Sequence, residues 1–483
     1  MSSKPAKERF SRLLRNPVFQ VIALAIAYVV FASFISLLKH YAYNTYAADL
    51  GIYAQTVKST LHGSILYNTP EGMNTLGYHF SPILLLLVPL IWLAPHIETL
   101  LIVQSIALGV SGCLVYKLAR IHKLSHRTAF FVEVLFFISP LVWGVNFWDL
   151  HPVAFAVPTL LIMLIGLVER KWKIFSVGLI LSLMTKEDVV MALAVFGLVM
   201  LIAQYVKTRK VDKAYLVVFS SAIATYGIAV VVARPISGMD VPPMLMYGTL
   251  RYTYLNESLG SAIRGALGAS FSGSSMLLLL AYFLPLGLLP LFSPLWAAPA
   301  ILILIASMLA TKVQQHYLLQ YPAAAIPFLF MALISTLTWM KNKGRVHLFL
   351  QRAWRVLAFA VIAVIILIEL SPISVIWFSR AGWLPGPHAA EINRTIALIP
   401  DGATVTVPNH IFPHLCLRTV AYIPQWPDEP NKTTGDFGIP DRDTEYVVID
   451  YQRAYPGEAE MNYLRDKYEL VEEENGVSLF RLK

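Results

Sequence analysis

The sequence predicts an all-α polytopic membrane bundle of about 11 transmembrane helices, followed by a small α/β domain. Three observations lead there. Of 483 residues, 57% are hydrophobic and only 14% are charged, and the mean hydropathy is +0.61; a soluble domain carries roughly a quarter charged residues. The apolar residues fall in long runs without alternation, which excludes a membrane β-barrel. From about residue 385 charge rises and the runs shorten, dividing the chain into a membrane domain over 1–384 and a second domain over 385–483.

The N-terminus is basic through Lys4, Lys7, Arg9, Arg12 and Arg15. The apolar run from about 18 to 38 is too long for a signal-peptide core and lacks a small-residue cleavage site, so it reads as a retained first helix. Further basic clusters lie at 117–127, 169–173, 207–213 and 341–355, and the positive-inside rule puts all of them in the cytoplasm. The first helix therefore leads out, and 39–97 is an external loop. Within it, 81–94 has interfacial rather than spanning length. Were it to span, the cluster at 117–127 would fall outside. Lying along the outer surface, it lets 98–119 return. The runs at 128–144, 153–168, 174–185, 189–206 and 215–233 then alternate in direction. A second external loop covers 235–275, and the runs at 276–292, 295–311, 318–340 and 356–377 complete the bundle. The N-terminus is then cytoplasmic and the C-terminal domain external, as are the glycosylation sequons at Asn256, Asn393 and Asn431. In the last domain, 388–400 and 411–418 read as helices, and 403–409, 419–424 and 444–450 as strands. A further helix and a hairpin turning on Asn475-Gly476 close the chain. Alternating helices and strands give the α/β expectation.

The net charge of +9 is carried by clusters that orient membrane helices, so it calls for no nucleic-acid partner. Cys113 and Cys416 stand far apart, one of them within an apolar run, and indicate no disulfide or cysteine-metal site.

Ionisable residues at membrane depth are costly, which makes each a functional candidate. They gather at the outer end of the expected helices. Asp49 opens an amphipathic helix that stops at Gly63; an N-cap role is the plainer reading and is compatible with facing a cavity. His79 precedes the surface-lying run. Asp149 and His151, beside Trp148, occupy a helix–helix turn, where turn and interface chemistry would also account for them. Lys186, Glu187 and Asp188 interrupt an apolar stretch. The run before them holds about 12 residues and rises roughly 18 Å, short of a hydrocarbon core of roughly 30 Å. Short interrupted segments point to binding sites, although a tight turn with snorkelling charges is the alternative. Arg234, Lys312 and His316 read first as interfacial anchors.

The stretches "DLGIYAQ", "YHFSPILLLLVPLIWLAP", Gln104, "FWDLHPVAFAVP", "KEDVVMAL", "QHYLLQYPAAAIPF" and "IPDGATVTVPNHIFPHLCLR" resemble the signature blocks of a family of uncharacterised prokaryotic multi-pass membrane proteins, defined by a domain of unknown function. That family in turn resembles the GT-C glycosyltransferases, membrane enzymes that take a sugar from a polyprenyl-phosphate carrier. The resemblance implies a GT-C-like bundle in the cytoplasmic membrane and sugar transfer at its outer face to an acceptor it does not identify. In GT-C enzymes the first external loop carries an acidic residue and surface-lying helices; Asp49 and 81–94 match. A basic residue after the fifth span meets the carrier phosphate; Lys186 matches. The resemblance thus implies Asp49 as general base and Lys186, aided by Arg234, as partner of the phosphate. Glu187, Asp188, His79, Asp149, His151 and His316 would line the substrate site, and a carboxylate–histidine set there could hold a divalent ion. Many GT-C enzymes pair two acids in this loop, whereas Glu71 is the only other acid between 39 and 79. Two other readings fit the same charges. A lipid or small-molecule transporter would use them as a pathway, though no internal repeat is visible; a scaffold would use the external domain to bind a partner.

Overall fold

The computed structural model describes residues 15–238, 251–310, 312–345, 353–370, 384–418, 420–424, 436–437, 443–453 and 455–483. The basic residues Lys4 to Arg12, the Asn431 sequon and the last apolar run beyond 370 lie outside the described residues.

The chain is a multi-pass membrane protein. Pro17–Tyr41, Glu98–Ile121, Glu187–Thr208 and Lys213–Ser237 are long and apolar enough to cross a membrane. Among the described residues that makes 4 candidate spans, or up to 6 if each of two bent pairs is one span. One pair is His126–Ile138 with Pro140–Phe147, bent by 47°; the other is Leu259–Ser270 with Gly273–Leu286, bent by 50°. The first bend follows from Pro140, which lacks a donor and forces Ser139 into extended backbone (φ −61°, ψ 128°). The run expected at 276–292 is α-helical only to Phe283, because Pro285 and Pro290 break it into 3₁₀ turns with Gly287 and Leu288 at positive φ. Other runs form shorter apolar helices: Pro82–Leu93, Pro152–Val168, Trp172–Leu183, Pro294–Leu309 and Ala358–Leu367.

The first helix shows how the bundle separates lipid from core. Val18, Ile22, Ile26, Val30 and Phe34 are exposed at four-residue spacing, while Val21, Ala25, Tyr28, Ala32 and Ser36 are buried on the other face.

In the C-terminal segment, β1 (Val405–Thr406), β2 (Ala421–Tyr422), β3 (Tyr446–Asp450), β4 (Tyr468–Glu474) and β5 (Val477–Leu482) form one sheet in the order β2-β1-β3-β5-β4. β1 runs parallel to β2 and β3, and β5 antiparallel to β3 and β4. Asn475 (φ 49°) and Gly476 (φ 86°) make the tight turn that the Asn-Gly pair foretells.

This sheet shares a core with the first loop. Tyr43, Leu50, Tyr53 and Leu84 pack in one apolar cluster with Ile392, Val405, Phe412 and Val448. The Ala47 N–H donates to both Asn409 O (2.9 Å) and Asn409 Oδ1 (2.8 Å), and Arg453 donates to Tyr43 O at 2.6 Å. Gly51 is pressed so closely that an added Cβ would stand 2.4 Å from Phe412 Cδ1. Phe412 is fully buried, so its ring has little room to retreat. Gly51→Ala is therefore expected to destabilise the protein by about 1–3 kcal/mol, read as a lower melting temperature in lipid nanodiscs and partly restored by adding Phe412→Leu. An unchanged melting temperature would show that these segments do not pack this way.

Candidate functional site

The site is built from three breaks in helical structure. The first is at Lys186. The Trp172–Leu183 helix ends, and Lys186 takes extended backbone (φ −167°, ψ 155°) before Glu187 starts the next helix. That break turns a charged side chain inward: Lys186 is 4% exposed. Among the described residues no carboxylate pairs with it. Its ammonium instead lies 3.3 Å from His151 Nε2.

His151 supplies the second break, at the start of the Pro152–Phe155 turn. Its Nδ1 accepts from the Val153 N–H at 3.2 Å, so the neutral ring carries its proton on Nε2. That N–H faces Asp49 Oδ1 at 3.8 Å. Lys186 and the Nε2–H are both donors, so their proximity is repulsive. Burial and the Lys186 charge push His151 well below the usual histidine range. Gln104 fixes this turn: its Oε1 accepts from the His151 N–H at 3.0 Å, and its Nε2 lies 3.0 Å from Asp149 O and 3.1 Å from Val145 O.

The third break corrects the N-cap reading of Asp49. The helical segment starts earlier, in a wide turn over Ala47–Gly51, and Tyr46 holds the cap position. The wide turn carries Asp49 away from the first helical N–H groups and toward residues 148–151. Its Oδ2 accepts from Trp148 Nε1 at 2.5 Å. Turns of this kind occur often at functional sites. Burial, assisted by the Asp149 charge, raises the Asp49 carboxyl to about 6, against the opposing pull of Trp148, Lys186 and Lys39.

Other expected site residues are committed to neighbours. Asp149 accepts from Lys39 Nζ at 2.5 Å and from the Tyr46 N–H at 2.8 Å, so it ties the first helix to the Asp49 turn. Glu187 uses both oxygens, one with His79 Nδ1 at 2.7 Å and one with the Phe80 N–H at 3.1 Å. Burial and Lys186 lower the His79 pKa, while Glu187 raises it. Asp188 accepts from Arg251 Nη1 at 3.3 Å. Arg234 is exposed near the end of Lys213–Ser237, and His316 is half-buried; the structure brings neither to this cluster. Among the described residues, no three His, Cys, Asp or Glu side chains converge as metal ligands.

Lys186, Glu187 and Asp188 line a cavity of about 290 Å³. Its walls are apolar: Met191 and Val195 from one helix, Pro299, Leu302, Ile303 and Ala306 from the Pro294–Leu309 helix. Its polar lining adds Arg251, Tyr252, Gln320 and Tyr321. Arg251 escaped sequence reasoning because it lies in a stretch read as an external loop, although an arginine beside Tyr252 and Tyr254 was a signal.

The sequence profile of DUF2079, a family of predicted membrane proteins, matches residues 39–479. No curated protein matches the chain. Among solved structures, ArnT from Cupriavidus metallidurans bound to undecaprenyl phosphate superposes with a TM-score of 0.54 at 11% identity, over 95% of this chain and 97% of that one. The apo form of ArnT gives the same TM-score and coverage at 14% identity. At such identity the likeness shows a common fold.

Proposed function

The chain belongs to the DUF2079 family of predicted membrane proteins, and we propose that it is a GT-C-like glycosyltransferase, moving a sugar from a polyprenyl-phosphate carrier to an acceptor. The bundle end that bears the first loop, the 235–275 loop and the 385–483 segment faces outward from the cytoplasmic membrane, with the N-terminus in the cytoplasm.

One observation carries the reading: Lys186 is buried, lacks a carboxylate partner among the described residues, and lines a cavity with apolar walls. A buried cation without a direct ion-pair partner is costly and favours binding an anion. Apolar walls beside it suit a hydrocarbon chain. A lipid phosphate meets both demands. The ArnT structure with undecaprenyl phosphate supports the reading by showing that this fold can hold such a lipid.

The reaction is an in-line displacement at the anomeric carbon. Asp49 takes the proton of the acceptor hydroxyl, and the acceptor oxygen bonds to the anomeric carbon. The bond from that carbon to the phosphate oxygen breaks, and its electron pair leaves with the carrier phosphate. Lys186, with Arg251, balances the charge left on that phosphate. Arg251 takes the part expected of Arg234.

Asp49 must be ionised to act, and its carboxyl titrates at about 6. For purified protein in lipid, kcat/KM for transfer from undecaprenyl-phosphate-linked sugars is expected to fall about tenfold per pH unit below that value. Transfer that stays level from pH 5 to 8 would remove Asp49 as the base; no transfer and no carrier binding would remove the function.

A further inference from the structure

Phosphate and hydrocarbon leave part of the cavity without a role. Gln320 is 6% exposed, and its Oε1 is buried with no hydrogen-bond partner. Gln314 lines the same cavity with a second buried Oε1 that has no partner. Both come from the segment between the Pro294–Leu309 and Ile326–Asn342 helices. Buried polar atoms are nearly always paired, and leaving one unpaired is costly. Two on one cavity mark a place where a ligand completes the pairing.

The chemistry of the amide identifies the ligand. A neutral carboxamide gains little from a phosphate beyond what Lys186 and Arg251 supply, and it is costly to bury against hydrocarbon. It suits a group bearing several hydroxyls. Each amide offers an acceptor and two donors, and rotating it by half a turn exchanges them, so either orientation serves a hydroxyl. Tyr321 adds a phenolic hydroxyl next to Gln320 and lies within electrostatic reach of Asp49 and Arg251. Glu187 is committed to His79 and Asp188 to Arg251, and Lys186 is taken by the carrier phosphate, so the lining keeps no spare charge to favour an acidic or amino sugar.

We propose that Gln320 and Gln314 form the sugar subsite, holding the hydroxyls of a neutral hexose linked to the carrier phosphate and setting donor specificity. This rests on the cavity being a polyprenyl-phosphate site. The test measures binding to the full chain in nanodiscs of undecaprenyl phosphate and of undecaprenyl phosphate linked to glucose, mannose or galactose. The wild type is expected to bind at least one hexosyl carrier more tightly than the bare carrier. Gln320→Leu is expected to lose that preference, weakening the hexosyl carrier by about tenfold, the loss of a hydrogen bond or more. Bare-carrier affinity should stay within about twofold, which also reports that the variant is folded. Gln314→Leu provides the same comparison should Gln320→Leu fail to fold. A wild type with no preference for any hexosyl carrier would overturn the proposal, as would variants that weaken bare and hexosyl carriers equally. Failure of the wild type to bind bare undecaprenyl phosphate would instead overturn the cavity reading beneath it.

Discussion

Asp49→Asn is expected to lower kcat for sugar transfer by about 10²–10⁴-fold, the usual contribution of a general base, without lowering the melting temperature. Asn keeps the size of the side chain and can still accept from Trp148 Nε1, so the turn at Ala47–Gly51 keeps its contact. It cannot take a proton from a hydroxyl. The stability expectation follows from the raised carboxyl, at about 6 against an ordinary value of 3.8. Folded protein then binds this proton more tightly than unfolded protein does. The stability it contributes is full below about pH 4 and is lost as pH rises through about 6. Above that pH the ionised Asp49 works against folding, and an uncharged Asn does not. The variant should melt at the same temperature as the wild type or higher at pH 7. Loss of activity together with a clearly lower melting temperature would reduce Asp49 to a structural residue, and full activity would remove it from the chemistry.

Lys186→Met is expected to weaken the carrier itself. The methionine fills nearly the same space in the apolar break but supplies no charge. Removing one member of a buried charge pair typically costs about 2–5 kcal/mol, so affinity for undecaprenyl phosphate should fall by about 30-fold or more. Turnover should fall as well, because the same charge stabilises the leaving phosphate. The protein should not be less stable without ligand, since wild-type Lys186 is buried and its ammonium lies against the His151 imidazole. Titration of the bare carrier into each protein checks this. Equal affinities would mean that the phosphate is held elsewhere.

Much of the arrangement could be read before any coordinates. Asp49, His151 and Lys186 stand where apolar runs break, and charge parity puts all three breaks at one end of the bundle. In the structure they are neighbours, joined by contacts of 3.3 and 3.8 Å. What could not be read is how each polar group spends its bonding capacity. Asp149 and Glu187 resemble free carboxylates in the sequence, yet Lys39 and His79, more than a hundred residues away, occupy them. Arg234 precedes the loop at 235–275 and Arg251 lies within it, and only packing determines which one enters the cavity. Asp49 is a favoured cap residue by type; the wide turn that denies it that role depends on Asn409 and Phe412, contributed from the far end of the chain. The composition change near 385 is plain, but the core shared between the C-terminal sheet and the first loop is a tertiary fact with no local signal. An apolar run does not show where prolines bend a helix, as at Pro140, or end it, as at Pro285 and Pro290.

The central claim is that the cavity at Lys186 holds a polyprenyl phosphate, and a cryo-electron-microscopy map of the protein in nanodiscs with undecaprenyl phosphate tests it most directly. Phosphate density is expected within about 3 Å of Lys186 Nζ, the reach of a charge-assisted hydrogen bond. The lipid chain should leave between the Glu187–Thr208 and Pro294–Leu309 helices, along Met191, Val195 and Leu302. Phosphate density elsewhere on the protein, with nothing bound beside Lys186, would contradict the claim.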